Sequence, residues 1–149
     1  MNHPGIGGTL EDFQLPVKMK LSALWTAVMF CYVYGDYFGL YVPGQLQSML
    51  AGKMGPLGPT TQGVLLGTSI MLAIPALMVF LSLALRPVVS RWLNIAMGTL
   101  YTLIMLATMP GAWTFYIFFG VLEVILTALV VWSAWRWPRK TPAFSPSGD

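Results

Sequence analysis

The sequence is poor in the residues that most enzymes use for chemistry. Only 9% of its 149 residues are charged, whereas ordinary soluble domains are about 25% charged. Cys31 is the single cysteine and His3 the single histidine. An intramolecular disulfide, a dithiol redox pair, a bis-histidine haem and a classical zinc site therefore lack their partners. We expect a protein that is not an enzyme and that carries neither a cofactor nor a metal.

Basic residues are few and dispersed, although the formal net charge is +3. The eight lysines and arginines are scattered along the chain at the ends of apolar segments. Nucleic-acid binding requires such residues to be clustered on one face. The sequence therefore argues against a nucleic-acid partner.

Apolar residues, in contrast, make up 56% of the chain and form long runs. A soluble fold of this length would expose many of them and aggregate, whereas a helix of about 20 apolar residues spans a bilayer. We predict an all-α integral membrane four-helix bundle in contact with membrane lipids. Its spans are predicted at 21–42, 61–85, 92–109 and 113–135, within a single domain of residues 21–137. Residues 1–20 are predicted to be a cytoplasmic leader, and residues 138–149 a disordered cytoplasmic tail.

Proline and glycine mark the predicted connections. Pro43-Gly44 disfavours continuation of the first span, and a short interfacial helix is predicted over 45–51. Residues 86–91 form a connection that is short enough only for antiparallel helices. Pro110 and Gly111 are expected to turn the chain into the last span.

The basic residues also predict the orientation, because cytoplasmic loops carry an excess of lysine and arginine. With four spans, one side holds seven of the eight basic residues and leaves only Lys53 on the other. The seven are Lys18, Lys20, Arg86, Arg91, Arg136, Arg139 and Lys140. We therefore expect a multi-pass protein of the plasma (inner) membrane with both termini in the cytoplasm.

Two carboxylic acids, Asp36 and Glu123, lie within the apolar runs. An ionisable side chain in hydrocarbon is costly, which makes both of them candidates for a proton-binding or ligand-binding site. Tyr32 precedes Asp36 by four residues, and Tyr116 and Thr127 are at helical spacing from Glu123. Because no lysine or arginine is at a comparable depth, we expect Glu123 to hold its proton at neutral pH. The alternative is that both acids only join helices through hydrogen bonds.

Small residues and one proline are candidates for helix packing. Gly35 and Gly39, and Gly63 and Gly67, are pairs four residues apart that permit close approach of two helices. We expect packing within the chain, with a dimer interface as the alternative. Pro75 should kink the second span and free a carbonyl one turn earlier, which then needs another hydrogen-bond donor.

Four segments carry a resemblance to a group of small bacterial four-span membrane proteins of unknown function. They are WTAVMFCYVYGDYFGLYVPG, TQGVLLGTSIMLAIPALMVFLSLAL, SRWLNIAMGTLY and YIFFGVLEVILTALVVWSAWRW. The resemblance implies the four-helix topology. It also implies recurring features at Asp36, at the Arg-Trp-x-Asn that begins the third span, and at the Gly-x-x-Glu that includes Glu123. It implies no activity.

Two hypotheses for function follow. The first is a proton-coupled transport protein or a lipophilic-ligand-binding protein, at least a homodimer, that uses Asp36 and Glu123 with Tyr32, Tyr116 and Thr127 as donors. The second is a non-enzymatic accessory or regulatory subunit of a larger membrane complex, held by its helix surfaces.

Overall fold

A computed structural model describes residues 14–138 and shows an all-helical chain over that range. Four long helices are joined by short connections that include one short helix and a 3-10 turn at Gly55–Leu57. The helices are α1 at Val17–Gly39, α2 at Gln45–Leu50, α3 at Gln62–Ala84, α4 at Pro87–Thr108 and α5 at Thr114–Trp135. The predicted all-α class is confirmed. The predicted leader and tail lie largely outside the described residues.

Three of the long helices, α3, α4 and α5, are long and apolar enough to cross a membrane. We predicted four such spans. The helix α1 equals α3 in length, at 23 residues, but it is not among the helices that are apolar enough to cross a membrane. Its polar content explains the difference, because Lys18, Lys20 and Asp36 all lie within it.

Two helices begin earlier than the sequence predicted. The first begins at Val17 instead of residue 21, so that Lys18 and Lys20 belong to its first turn. The helix α4 begins at Pro87 instead of residue 92. Proline is favoured in the first turn of a helix, where its missing N–H costs no hydrogen bond. The predicted connection at 86–91 is therefore mostly helical. The predicted short helix at 45–51 is confirmed by α2.

The long helices alternate in direction. Lys18, at the start of α1, donates through Nζ to the carbonyls of Leu83 and Leu85 at the end of α3, at 2.9 and 2.6 Å. Arg91, at the start of α4, donates through Nη2 to the Trp135 carbonyl at the end of α5, at 3.4 Å. One end of the bundle therefore holds most of the positive charge of the described chain, and we call it the basic end. It contains Lys18, Lys20, Arg86, Arg91 and Arg136.

Helix α1 lies between α3 and α5, and α4 packs mainly on α5. The buried apolar core lies where α1, α3, α4 and α5 meet; it comprises Leu21, Trp25, Val28, Met78, Tyr101, Val130 and Ala134. The outer surface is apolar as well, with side chains such as Phe80 and Leu103 at least 60% exposed. Such a surface suits a lipid environment.

A hydrogen-bonded cluster around Asn94 joins three helices near the basic end. Trp25 Nε1 of α1 and Ser82 Oγ of α3 both donate to Asn94 Oδ1, at 2.8 and 3.1 Å. Asn94 Nδ2 donates to the Ser90 carbonyl at 2.8 Å. All four side chains are buried. Because every polar group of the cluster has a partner, it fixes how α1, α3 and α4 pack against each other.

Pro75 frees a backbone carbonyl as the sequence predicted. Helix α3 continues through Pro75, which is buried. The carbonyl of Met71, four residues earlier, accepts a hydrogen bond from the Tyr101 hydroxyl of α4 at 2.5 Å. The expected need for another donor is therefore confirmed, and a phenol from a neighbouring helix supplies it.

Close helix approach occurs at glycines other than those we selected. A Cβ at Gly35, Gly39 or Gly67 would meet nothing within 4 Å, and one at Gly63 would meet only the Thr61 hydroxyl at 3.9 Å. A Cβ at Gly98 would lie 2.8 Å from Val131 Cγ2 and 3.3 Å from the Thr127 carbonyl. The four selected glycines therefore do not bring two helices of the described chain into close contact. Gly98 brings α4 close to α5.

Candidate functional site

Glu123 lies near the middle of α5 and is almost completely buried, with 1% of its surface exposed. Its Oε1 accepts a hydrogen bond from the hydroxyl of Tyr32 on α1. The two helices pack against each other along much of their length, which places the phenol next to the acid. Tyr32 was predicted to support Asp36, its neighbour one turn along the helix. The structure joins it to Glu123 instead.

Glu123 and Asp36 line one cavity of about 200 Å³. Its walls come from α1, α3, α4 and α5, with Met54 of the connection before α3 contributing as well. The lining comprises Cys31, Tyr32, Gly35, Asp36, Met54, Thr68, Met71, Leu72, Met105, Tyr116, Phe119, Gly120 and Glu123. Two carboxyl groups that are far apart in sequence therefore share one concave site.

Asp36 differs from Glu123 in its exposure. It lies one turn before the end of α1, on the half of the bundle away from the basic end, and it is exposed. Over residues 14–138, neither a hydrogen bond nor an ion pair holds its carboxylate. The cavity thus extends from an exposed acid to a buried acid that is already hydrogen-bonded.

Tyr116 and Thr127 have partners other than the carboxyl group of Glu123. Tyr116 lines the cavity, and its hydroxyl donates to Thr108 Oγ1 of α4 at 3.0 Å. The Thr127 hydroxyl lies 2.9 Å from the Glu123 backbone carbonyl and 2.7 Å from Thr102 Oγ1. Thr127 is buried and does not line the cavity. It joins α5 to α4, one turn from the acid.

The sequence pointed to the phenols of Tyr32 and Tyr116 in the cavity wall but not to its sulfur-containing side chains. Met54, Met71 and Met105 come from three separate segments, and their convergence has no local sequence signal. Gly120, which also lines the cavity, has a local sequence signal, because it precedes Glu123 by three residues in the Gly-x-x-Glu pattern. A Cβ there would lie 3.0 Å from Met105 Sδ. Gly120 therefore allows α4 to pack closely beside the acid.

Among the described residues, the cavity is lined by acidic groups and by no basic ones. Its lining has two carboxyl groups, two phenols and a threonine hydroxyl, but within the described part of the chain it has no lysine, arginine or histidine. A buried carboxylate without a cation is costly, whereas a protonated or cation-bound carboxyl group is not. The described residues contain no group of three histidine, cysteine, aspartate or glutamate side chains that could hold a metal ion. The site therefore suits protons, cationic groups and hydrogen-bond donors.

Comparisons with known proteins identify one matching family, and the function of that family is unknown. Neither a search of curated proteins nor a search of solved structures found a match. A family model described as a family of unknown function matches residues 11–143, which include every helix and the whole cavity. The chain belongs to that family, DUF6326.

Proposed function

We propose that the protein crosses the membrane four times, and that α1 is a span in addition to α3, α4 and α5. Its length equals that of α3. Its outer face carries large apolar and aromatic side chains, with Phe30, Val33 and Tyr34 each more than half exposed. Lys18 and Lys20 lie in its first turn, where their long side chains can reach the membrane surface. The lower hydropathy of α1 then reflects these two lysines at the membrane surface and Asp36 beside the cavity.

The proposed orientation places the basic end in the cytoplasm of a bacterial cell, at the inner membrane. Of the six basic residues in the described range, five belong to this end and only Lys53 lies elsewhere. This asymmetry is what the positive-inside rule requires. Both termini then lie in the cytoplasm, and the connection between α1 and α3 faces outward together with Asp36.

As its function, we propose that the cavity binds a small lipophilic ligand through a cationic or hydrogen-bond-donating group and exchanges it for a proton on Glu123. One observation carries this proposal: Asp36 and Glu123 line the same cavity, whose described lining contains no basic residue. A cationic ligand would compensate the charge that Glu123 acquires on losing its proton. The rest of the ligand would contact the apolar and aromatic side chains of the cavity wall, which are Tyr116, Phe119 and the lining methionines Met54, Met71 and Met105.

The proposal gives the two acids separate roles. Asp36 is exposed and would attract a cation at the cavity mouth. Glu123 is buried and would exchange its proton when the ligand arrives. Tyr32 would hold the Glu123 carboxyl group in one orientation through its hydroxyl. Asp36→Asn should therefore weaken capture, whereas Glu123→Gln should remove the coupling to protons.

A liposome experiment tests this proposal with a defined probe. The full chain is reconstituted with a pH-sensitive dye inside, and benzyltrimethylammonium or its neutral isostere neopentylbenzene is added. We expect the cation alone to drive proton movement, and Glu123→Gln to abolish it. Tyr32→Phe should reduce the rate, while Tyr34→Phe, a matched change at an exposed phenol outside the cavity, should not. Equal proton movement with folded Glu123→Gln would exclude Glu123 from the mechanism.

A second candidate function, that of an accessory or regulatory subunit of a larger membrane complex, is favoured by the open glycine faces. A Cβ added at Gly39 or Gly67 would meet nothing, so a helix of another chain can approach the backbone there. A transporter of this size also needs at least a dimer to enclose a permeation path. Purification in mild detergent separates the two, because a homo-oligomer supports transport and a stable foreign membrane protein supports the accessory role.

A further inference from the structure

A second concave surface lies between α4 and α5, outside the carboxylate cavity. This groove has a volume of about 330 Å³. It is lined by Thr99, Thr102, Leu103, Ala128, Val131, Trp132 and Trp135. Leu103, Trp132 and Trp135 are each more than half exposed, so the groove opens on the outside of the bundle. Both flanking helices are long and apolar enough to cross a membrane, so the groove would face lipid chains in a bilayer.

Positive charge lies at one end of this groove. The Arg136 guanidinium lies 4.1 Å from the centre of the Trp132 ring. Arg91 donates to the Trp135 carbonyl and lies 5.6 Å from the centre of the Trp92 ring. The two arginines therefore contact the two tryptophans of the groove wall at the basic end. A mixed apolar and cationic site of this kind matches a molecule with an apolar chain and an anionic head.

Neither arginine is neutralised within residues 14–138. The acids of this range are Asp36 and Glu123, and both line the other cavity. The Arg91 Nε–H is buried and has no hydrogen-bond acceptor among the described residues. A buried donor without an acceptor costs about 1–3 kcal/mol. A phosphate oxygen is the kind of acceptor that an arginine fork binds best.

We propose that this groove is a binding site for an anionic phospholipid. One acyl chain lies along the wall formed by Leu103, Val131 and Trp135, and the phosphate lies between Arg91 and Arg136. A zwitterionic headgroup brings its own ammonium group close to both arginines, whereas an anionic headgroup does not. Each basic residue near a membrane surface favours anionic lipid. The two together should give a preference of about tenfold or more.

Native mass spectrometry of the full chain in mild detergent tests the site. The protein is titrated with phosphatidylglycerol and phosphatidylcholine that have identical acyl chains. We expect about tenfold more phosphatidylglycerol adducts on the unchanged protein. Arg91→Gln with Arg136→Gln should bring the ratio close to one. Lys53→Gln, which removes the same charge away from the basic end, should leave the ratio unchanged.

Three outcomes would overturn the proposal: equal retention of both lipids by the unchanged protein, an unchanged preference in the folded double variant, or an equal loss of preference in Lys53→Gln. If the double variant does not fold, Arg136→Gln alone decides the question, because Arg136 lies just past the end of α5. Loss of most of the preference in that variant supports the site, and an unchanged preference refutes it. This result is independent of ligand exchange at Glu123, which the liposome experiment measures separately.

Discussion

Removing the Tyr101 hydroxyl should destabilise the bundle by an amount that depends on Pro75. The hydroxyl donates at 2.5 Å to the Met71 carbonyl, which Pro75 leaves without its helical partner. Tyr101→Phe keeps the ring, whose centroid lies 6.1 Å from that of Trp25 and 6.4 Å from that of Tyr32. The change therefore isolates one hydrogen bond between α3 and α4.

The magnitude follows from what the Met71 carbonyl loses. A net hydrogen bond contributes about 0.5–1.5 kcal/mol, and an acceptor left buried without a partner costs about 1–3 kcal/mol. Side-chain hydrogen bonds between membrane helices average about 0.6 kcal/mol and reach about 1.7 kcal/mol. Because Pro75, four residues later, removes the N–H that would donate to this carbonyl within α3, we expect a value near the upper limit, about 1.5 kcal/mol.

Pro75→Ala provides the matched background. It restores an N–H that can donate to the Met71 carbonyl within α3. Tyr101→Phe in that background should cost only about 0.5 kcal/mol, which gives a coupling of about 1 kcal/mol between the two positions. The exposed phenol of Tyr34 serves as the control, since Tyr34→Phe should change the free energy of unfolding by less than about 0.5 kcal/mol.

The assay is unfolding by sodium dodecyl sulfate from mild-detergent micelles, followed by circular dichroism. It gives the free energy of unfolding of the unchanged chain, the two single variants and the double variant. Additivity of the Tyr101 and Pro75 changes within about 0.5 kcal/mol would refute the reasoning. In that case the hydroxyl does not replace the donor that proline removes.

Three further predictions concern other parts of the bundle. Asn94→Ala removes the shared partner of buried donors from α1 and α3, so the same assay should show a loss of about 2 kcal/mol or more. Gly98→Ala should destabilise by about 1–3 kcal/mol, because its Cβ would lie 2.8 Å from Val131 Cγ2, while Gly67→Ala, which meets nothing within 4 Å, should not destabilise. Infrared difference spectra should show the C=O stretch of a protonated carboxylic acid at neutral pH that disappears in Glu123→Gln, since Glu123 is buried without a cation among the described residues. Its absence from the unchanged protein would mean that Glu123 is ionised.

The sequence predicted well those features that depend on a short stretch of chain. Four helices followed from apolar runs separated by proline and glycine, and the turn at Pro110 was found, with Gly111 in the left-handed conformation at φ 77°. The freed carbonyl also followed from Pro75 alone. Helix beginnings were less accurate, because Pro87 can start a helix as readily as it can stop one.

Features that depend on how helices meet were not predictable in the same way. The spacing along α1 predicted that Tyr32 supports Asp36. In the structure α1 packs on α5, and the Tyr32 hydroxyl donates to Glu123 instead. Paired glycines were selected by their pattern, yet the close contacts occur at the isolated Gly98 and Gly120. A local pattern identifies a side chain suited to an interaction. Its partner depends on the rotation of one helix against another, which no single segment specifies.

The central claim is that the described bundle crosses the membrane four times, so that the cavity lies within the bilayer. Labelling of single cysteines in a Cys31→Ser background tests it directly, with Asn2→Cys and Ser147→Cys near the two termini and Gln47→Cys in α2. In intact cells, a membrane-impermeant maleimide should label only the cysteine at position 47, and in opened cells it should label all three. Labelling of one terminus and not the other in intact cells would contradict four spans.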